Sequence, residues 1–510
     1  MNNYTITIVN YKIDITSPSK VSLLNILNRS GMNIPSYCAG RGVCGKCKVR
    51  FIDPIPTPTK AEEKLLSNKE IQNGIRLACQ HFVNSNISLE LSEKFDFDIF
   101  IKVNQNHRRK SNTLGIAVDL GTTTIYMRAI DLESRDWLFE AMSLNPLIMF
   151  GADVVSRMTW IIEKNKGAFF SRQLFGKISS ILVSGISKLN YRPQIRKMVI
   201  VGNNPMMHLL LNLDISKLAF APYESPYLHK PTRFDSKKYG FDENFEIFIP
   251  PSIGGFIGSD FSAVLYFLED SLFHKRGAVI DLGTNGEMGI WNKNGVFVTS
   301  TAAGPAFEGM KIAHGMVAID GAIESFKINN TFHIKTVGNT KPKGICGSGL
   351  IDILSEFLKN NFIHKNGRIN SKFSDENDRI LIFDDPTDPI YLYQKDIREI
   401  QLSKAAISAA LRVLSEESGI TLDNIEDFFL AGNFGNTMNI ENAVTVGLLP
   451  KIKKERFKLI GNAALKGAVK FCLDERSGID FLKNIDERLK HVRLENDEKF
   501  IETFVEMMKF

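Results

Sequence analysis

The tetrapeptide Asp-Leu-Gly-Thr occurs twice in this chain, at 119–122 and 281–284, and each copy closes an apolar run. The first reads Gly115-Ile-Ala-Val-Asp119-Leu-Gly121-Thr122-Thr123-Thr124-Ile-Tyr-Met-Arg, the second Gly277-Ala-Val-Ile-Asp281-Leu-Gly283-Thr284-Asn285-Gly286-Glu287-Met-Gly-Ile. Each reads as a buried strand, a tight turn and a second strand, so the repetition predicts a duplicated α/β unit whose second lobe starts near residue 276. One such hairpin would be an ordinary turn; two in the same strand context constrain the fold. The residue types also suit phosphate chemistry. A Gly turn lets backbone N–H groups approach phosphate oxygens, Thr hydroxyls add donors, and a strand-terminal Asp can hold Mg²⁺, usually through water. Gly121, Thr122, Thr123, Gly283, Thr284, Asn285 and Gly286 are therefore the candidate phosphate contacts. Asp119 and Asp281 are the candidate catalytic carboxylates, organising Mg²⁺ and water.

A third piece, Asp427-Phe-Phe-Leu430-Ala-Gly432-Asn433-Phe-Gly435-Asn436, runs an apolar strand into a Gly loop suited to a flat adenine. Gly432, Asn433 and Gly435 are its candidate nucleotide contacts. In Val201-Gly202-Asn203-Asn204, the asparagines either orient an attacking water, with Asn204 the catalytic candidate, or serve as turn residues. Glu287 and Glu308 are candidate bases. A phosphate loop at Gly42–Lys46 is excluded, because the GxxxxGK[ST] spacing fails and two cysteines occupy the segment.

Four of the six cysteines fall within the first 79 residues, as Cys38-x5-Cys44-x2-Cys47-x31-Cys79. Three thiolates in a Gly-rich loop and a fourth further on are what a [2Fe–2S] cluster needs, and the spacing is close to the plant-type ferredoxin pattern, with five residues in the first gap instead of four. The alternative is a structural zinc site, which usually uses two CxxC pairs, whereas only Cys44 and Cys47 form one here. Around these cysteines the text predicts a hairpin at 4–16, a helix at 22–28, a short helix in AEEKLLS and a closing strand in NISLEL, a β-grasp sheet. Cys346, between glycines, reads as a packing thiol rather than a redox group, and Cys472 as a core residue of a C-terminal helix. His208 reads as a buried structural histidine rather than a ligand. The small-residue helix at 403–414 reads as close packing between lobes or as a partner surface.

Five hundred and ten residues suggest two to four domains. The motifs divide them into 1–94, a ferredoxin; 95–113, an Asn-rich basic linker; and 114–510, a two-lobed module. With 44% hydrophobic and 24% charged residues, wholesale disorder and coiled coil are excluded. No apolar run approaches the roughly 18–20 residues of a membrane span, and MNNYTITIVNYK lacks the pattern of a signal peptide, so the sequence predicts a cytoplasmic protein without a membrane partner. The net charge of +6 is uneven: residues 1–94 hold 12 Lys and Arg against 7 Asp and Glu, and the rest is nearly neutral. That excess is either a solvated face or a surface for an acidic partner. Nucleic acid is not expected, because no Lys/Arg cluster interleaves with aromatics.

The Asp119 and Asp281 hairpins with the Gly432 loop resemble the two phosphate motifs and the adenosine motif of the acetate kinase, sugar kinase, heat-shock protein and actin superfamily. That resemblance implies two RNase-H-like lobes closing on ATP and Mg²⁺. A ferredoxin fused ahead of this module resembles the ATP-dependent reductive activators of corrinoid proteins. Gly151-Ala-Asp153-Val-Val-Ser-Arg157, Ile253-Gly-Gly-Phe-Ile-Gly258-Ser-Asp260, Thr301-Ala-Ala-Gly304-Pro305-Ala-Phe-Glu308, Gly344-Ile-Cys346-Gly-Ser348-Gly349 and Asp396-Ile-Arg398-Glu-Ile-Gln401 extend that likeness. It implies an enzyme that passes one electron from its cluster to the inactive Co(II) of a methyltransferase corrinoid protein, regenerating Co(I). It further implies an upstream low-potential electron donor and a homodimer. Competing readings are an activator of another low-potential enzyme and a metabolite kinase with a fused redox-sensing ferredoxin.

Overall fold

The structure is a computed structural model describing residues 3–30, 32, 34–91, 99–106, 112–151, 153–164, 167–220, 225, 229–432 and 438–510, with the side chains at 163 and 164 excepted. At the N-terminus, β1 (Asn3–Ile8) and β2 (Ile13–Pro18) pair antiparallel, with Asn3 opposite Pro18 and Ile8 opposite Ile13. Helix α1 (Leu23–Arg29) buries Leu23, Leu24, Ile26 and Leu27. β3 (Lys48–Asp53), β4 (Ile75–Leu77) and β5 (Ile87–Glu90) complete a five-stranded sheet in the order β2-β1-β5-β3-β4. Alternating Ile6, Ile8, Val49, Phe51 and Leu89 meet α1 in one core, the β-grasp arrangement expected.

The first lobe is a seven-stranded sheet. Its strands are β6 (Phe100–Val103), β7 (Thr113–Leu120), β8 (Thr124–Asp131), β9 (Trp137–Leu144), β10 (Gln194–Val201), β11 (Thr232–Asp235) and β12 (Glu246–Ile249), ordered β11-β12-β10-β7-β8-β9-β6. β7 is apolar from Leu114 to Val118 because both faces are covered: Leu114, Ile116, Val118 and Leu120 meet one cluster and Ala117 another. β6 lies inside the stretch read as linker and adds an edge strand by pairing Phe100–Val103 with Phe139–Met142; four residues are too short to show a period.

The second lobe repeats the plan. β13 (Gly277–Leu282), β14 (Gly286–Asn292), β15 (Gly295–Thr301), β16 (Asp427–Ala431), β17 (Phe457–Gly461) and β18 (Leu489–His491) form a sheet ordered β17-β16-β13-β14-β15-β18. β10 runs parallel to β7 as β16 runs parallel to β13, and β8 and β14 return antiparallel beside them. The duplication inferred from Asp-Leu-Gly-Thr is therefore a duplication of topology.

Two helices lie between the sheets, α2 (Ser259–Phe267) and α3 (Ala463–Leu473). Their core joins Ala117 and Val199 of the first lobe to Val279 and Val298 of the second. A side chain at Gly467 would overlap the Ala263 carbonyl, so the crossing requires glycine there. This corrects the reading of 403–414 as packing between lobes. That segment lies in a longer helix, Gln394–Ser418, whose Ile407, Ala410, Leu411 and Leu414 pack in the second-lobe core. Cys472 is buried on α3 as expected. Cys346 is also buried, its thiol 3.2 Å from the Ile323 carbonyl, and His208 is held 2.8 Å from the Asn204 carbonyl.

Candidate functional site

The ferredoxin loop gathers its four cysteines as two pairs. Cys38 shares a hydrogen bond with Cys44, and Cys47 shares one with Cys79. The bond from Cys44 holds the Cys38 thiol down to about 4, helped by the amides of Val43, Cys44 and Gly42. Sharing with Cys38 and burial push Cys44 up. Among the described residues no three His, Cys, Asp or Glu side chains converge on a single metal position. Two thiol pairs with backbone amides aimed at sulfur fit a two-iron cluster, which Cys38, Cys44, Cys47 and Cys79 could hold. The loop can wind this tightly because Gly42 has φ +73°, and a side chain there would collide with the Gln80 amide. Gln80 Nε2 in turn donates to Cys79 Sγ at 3.3 Å. Buried Glu62 fixes the approach to Cys79, accepting from the Leu77 amide at 2.6 Å and lying 2.9 Å from His81 Nε2.

In the large module the two hairpins meet face to face. Thr123 Oγ1 and Thr284 Oγ1 are 3.4 Å apart. Thr284 donates to Glu308 Oε1 at 2.7 Å, while Glu308 Oε2 is buried without a partner. On the first lobe, Asn145 braces the turn by donating Nδ2 to the Gly121 carbonyl at 2.8 Å. Thr122 accepts from Asn203 Nδ2 at 3.1 Å, and Asn203 also caps the following helix through Met206 N at 2.9 Å. Thus Asn203 touches the phosphate hairpin. Asn204 instead spends its Nδ2 on the Gly255 carbonyl at 2.7 Å and leaves its Oδ1 unpartnered. Gly283 and Gly286 flank the Thr284–Asn285 turn, where Asn285 Nδ2 is buried without a partner. Gly432 follows β16 with φ +90°, and a Cβ there would lie 2.5 Å from the Leu282 carbonyl and 3.1 Å from Asp281 Oδ1. The third motif thus abuts the second hairpin. Asn433 and Gly435 lie outside the described residues.

Carboxylates collect between the hairpins. Burial pushes Asp119 up to about 6, against the bond from Asn462 Nδ2 to its Oδ2 at 2.7 Å. Burial, then the charge of Asp119, pushes Asp281 to about 7. Asp260 is pushed to about 8 by burial and by Asp119 and Asp281, and Glu287 rises for similar reasons. These carboxylates share one largely buried site, so ionising them together is costly until a cation is shared. Asp119 and Asp281 could hold Mg²⁺, and the donors left unpartnered at Asn285 and at buried Arg157 Nη2 could meet phosphate oxygens. Asn462 carries no sequence motif and lies 343 residues from Asp119; only the fold brings it there. Asp260 and Arg157 were visible only as family-like text.

Comparison with known proteins finds matches to three segments of the chain. Residues 6–84 match the 2Fe-2S iron-sulfur cluster binding domain, 114–270 the RACo middle region, and 276–510 the C-terminal domain of RACo, the ASKHA domain. A corrinoid activation enzyme, RamQ, of Eubacterium limosum is 32% identical over 433 residues, 78% of this chain and 71% of the relative. A [Co(II) methylated amine-specific corrinoid protein] reductase of Methanosarcina barkeri is 25% identical, over 76% of this chain and 75% of the relative. A solved reductive activator for a corrinoid, iron-sulfur protein superposes with a TM-score of 0.71 at 26% identity, covering 99% of this chain and 98% of its own. These matches together span nearly the whole length of the chain, and the chain belongs to the family of corrinoid activation enzymes.

Proposed function

We propose that this protein uses ATP and Mg²⁺ to drive one electron onto the inactive Co(II) of a corrinoid protein in a methyltransferase system, restoring Co(I). The observation that carries this is the contact between Thr123 and Thr284, where carboxylates and phosphate-binding turns of both lobes converge, in a chain that also gathers four paired thiols. The [2Fe–2S] group held by Cys38, Cys44, Cys47 and Cys79 supplies one-electron chemistry. Residues 1–94 form the electron-carrying module, 95–113 its connection, and 114–510 the nucleotide module. Thr122, Thr123, Thr284 and Asn285 hold phosphates, while Gly121, Gly283 and Gly286 shape the turns, the Gly121 and Gly283 amides donating to the Thr124 and Asn285 carbonyls. Gly432, Asn433 and Gly435 line the adenosine, while Asp119 and Asp281 hold the metal and its water. Asn203 orients Thr122, a positioning role, and Asn204 braces the loop at 255–257 beside it.

The electron comes from an upstream low-potential donor, and the protein works as a cytoplasmic homodimer. No described helix is long and apolar enough to cross a membrane. The test is an anaerobic spectroscopic assay with purified holo-protein, reductant, ATP–Mg²⁺ and candidate Co(II) corrinoid proteins. Co(I) formation that requires ATP and all four cysteines supports the proposal. A phosphorylated small metabolite would instead favour a kinase, and absence of Co(I) with every corrinoid protein tried would refute the assignment. Light scattering tests the dimer.

A further inference from the structure

The cluster loop touches both lobes. Lys46, between Cys44 and Cys47, donates from Nζ to the Ile312 carbonyl at 3.2 Å and the Ala313 carbonyl at 2.9 Å, both in the second lobe. Its target is itself fixed, because the Ala313 amide donates to Asp396 Oδ1 at 3.0 Å. Arg41 Nη2 donates to Ser156 Oγ at 3.1 Å in the first lobe. Each anchor sits next to the phosphate region. Ile312 follows Glu308, which accepts from Thr284, within four residues. Ser156 precedes Arg157, whose buried guanidinium feels the charge of Glu308.

We propose that Arg41 and Lys46 form a latch that ties the cluster loop across the cleft, so that nucleotide entry and full docking of the loop oppose each other. The inference rests on the nucleotide reading of the cleft. Thr123 and Thr284 touch at 3.4 Å, so phosphates held by both hairpins must separate them. Separation carries Ser156 one way and the 308–313 segment the other, and only four residues of loop, 42–45, join the two anchors. One arm must therefore yield when phosphates enter. Arg41 and Lys46 are positioning residues, and they place the stretch containing Cys44 and exposed Val43 according to the state of the cleft. By linkage, whatever the latch costs the nucleotide, the nucleotide costs the latch.

The test uses full-length holo-protein, with cluster content checked by visible absorption, and calorimetric titration with ATP–Mg²⁺. Lys46→Met and Arg41→Gln are each expected to tighten nucleotide binding about fivefold, within the usual range of such couplings. The double variant should be no tighter than the tighter single, because cutting either arm frees the span. Lys46→Arg should restore the wild-type affinity. Ser156→Ala cuts the Arg41 arm without altering the ferredoxin, which keeps the test decisive if a loop variant loses its cluster. Hydrogen exchange of peptides covering 37–48 and 309–316 should rise when a non-hydrolysable ATP analogue binds the wild type, and should already be high in the variants. Affinities within twofold of wild type for Lys46→Met, Arg41→Gln and Ser156→Ala, or protection of 37–48 by the analogue, would overturn the latch. A wild type that binds no ATP would instead overturn the nucleotide reading itself.

Discussion

Replacing Asp281 with Asn isolates what the cleft carboxylates cost the protein before a cation arrives. In the folded chain, burial and Asp119 move Asp281 from its ordinary 3.8 to about 7. Between these values the folded state retains a proton that the unfolded chain has released. Stability rises with pH only where the unfolded state binds more protons, so here it falls as pH climbs from about 4 to 7, and the proton-linked contribution is gone above that. Each pH unit of this window is worth about 1.4 kcal/mol, so the full window amounts to about 4 kcal/mol. Asp281 is only partly buried, and solvent screening reduces this to a working value of about 2 kcal/mol. Asp119 and Asp260, pushed to about 6 and about 8, act with the same sign. Asn keeps the shape without the charge. Asp281→Asn should therefore be more stable than wild type at pH 8 by about 2 kcal/mol and nearly equal at pH 4.5. Denaturant titration in Mg²⁺-free buffer at several pH values measures this. Calorimetry in two buffers of different ionisation enthalpy should show wild type releasing protons on binding ATP–Mg²⁺ at pH 7, and the variant fewer. A wild-type stability that is flat or rising from pH 5 to 8, or a variant with the same slope, would refute the electrostatic account.

Three other outcomes follow from the geometry. Gly432→Ala must place a side chain at φ +90° against the Leu282 carbonyl, at a backbone cost of about 1–2 kcal/mol; ATP affinity by calorimetry should fall at least tenfold while the ferredoxin absorption is unchanged. Asn462→Ala strips the Asp119 carboxylate of its 2.7 Å donor and should lower stability by about 1–3 kcal/mol, whereas Asn462→Ser should recover part of that loss. Because residues 1–94 carry the cationic excess, the rate of Co(I) formation should fall as ionic strength rises from 50 to 300 mM, roughly halving the Debye length; a salt-independent rate would place the docking contact elsewhere.

What could be read from the sequence followed from local causes. The apolar run before Asp119 is unbroken because both faces of β7 are covered, and the same cause produces the run before Asp281, so the duplication was visible in the text. The cysteine spacing was visible because thiolate ligands leave few alternatives. What stayed hidden was set by distant chain segments. Gly467 has no local reason to be glycine; the Ala263 carbonyl on another helix supplies it. Asn203 and Asn204 look alike in sequence, and only their placement at a helix start makes one touch Thr122 and the other the 255–257 loop. The strand Phe100–Val103 was hidden by its length, and 403–414, part of the helix Gln394–Ser418, read as lobe-boundary packing or a partner surface because small residues fit those as well as a lobe core.

The energetics of the reaction make the contact between the lobes the decisive element. A one-electron transfer uphill by 59 mV costs about 1.4 kcal/mol, so a gap of a few hundred millivolts needs several kcal/mol. ATP supplies none of this unless it binds two states of the protein differently. A nucleotide held by one lobe alone would bind open and closed arrangements equally and could do no work on the electron. Here Thr123 and Thr284 belong to different lobes and touch each other, Glu308 of the second lobe accepts from the same Thr284, and the segment after Glu308 carries the carbonyls that Lys46 holds. Any preference of the nucleotide for separated hairpins is then felt at the loop that bears Cys44 and Cys47. On the proposed latch, the Thr123–Thr284 contact is one that a bound triphosphate would break, and the nucleotide's different affinity for the two states would set how much of its free energy reaches the electron.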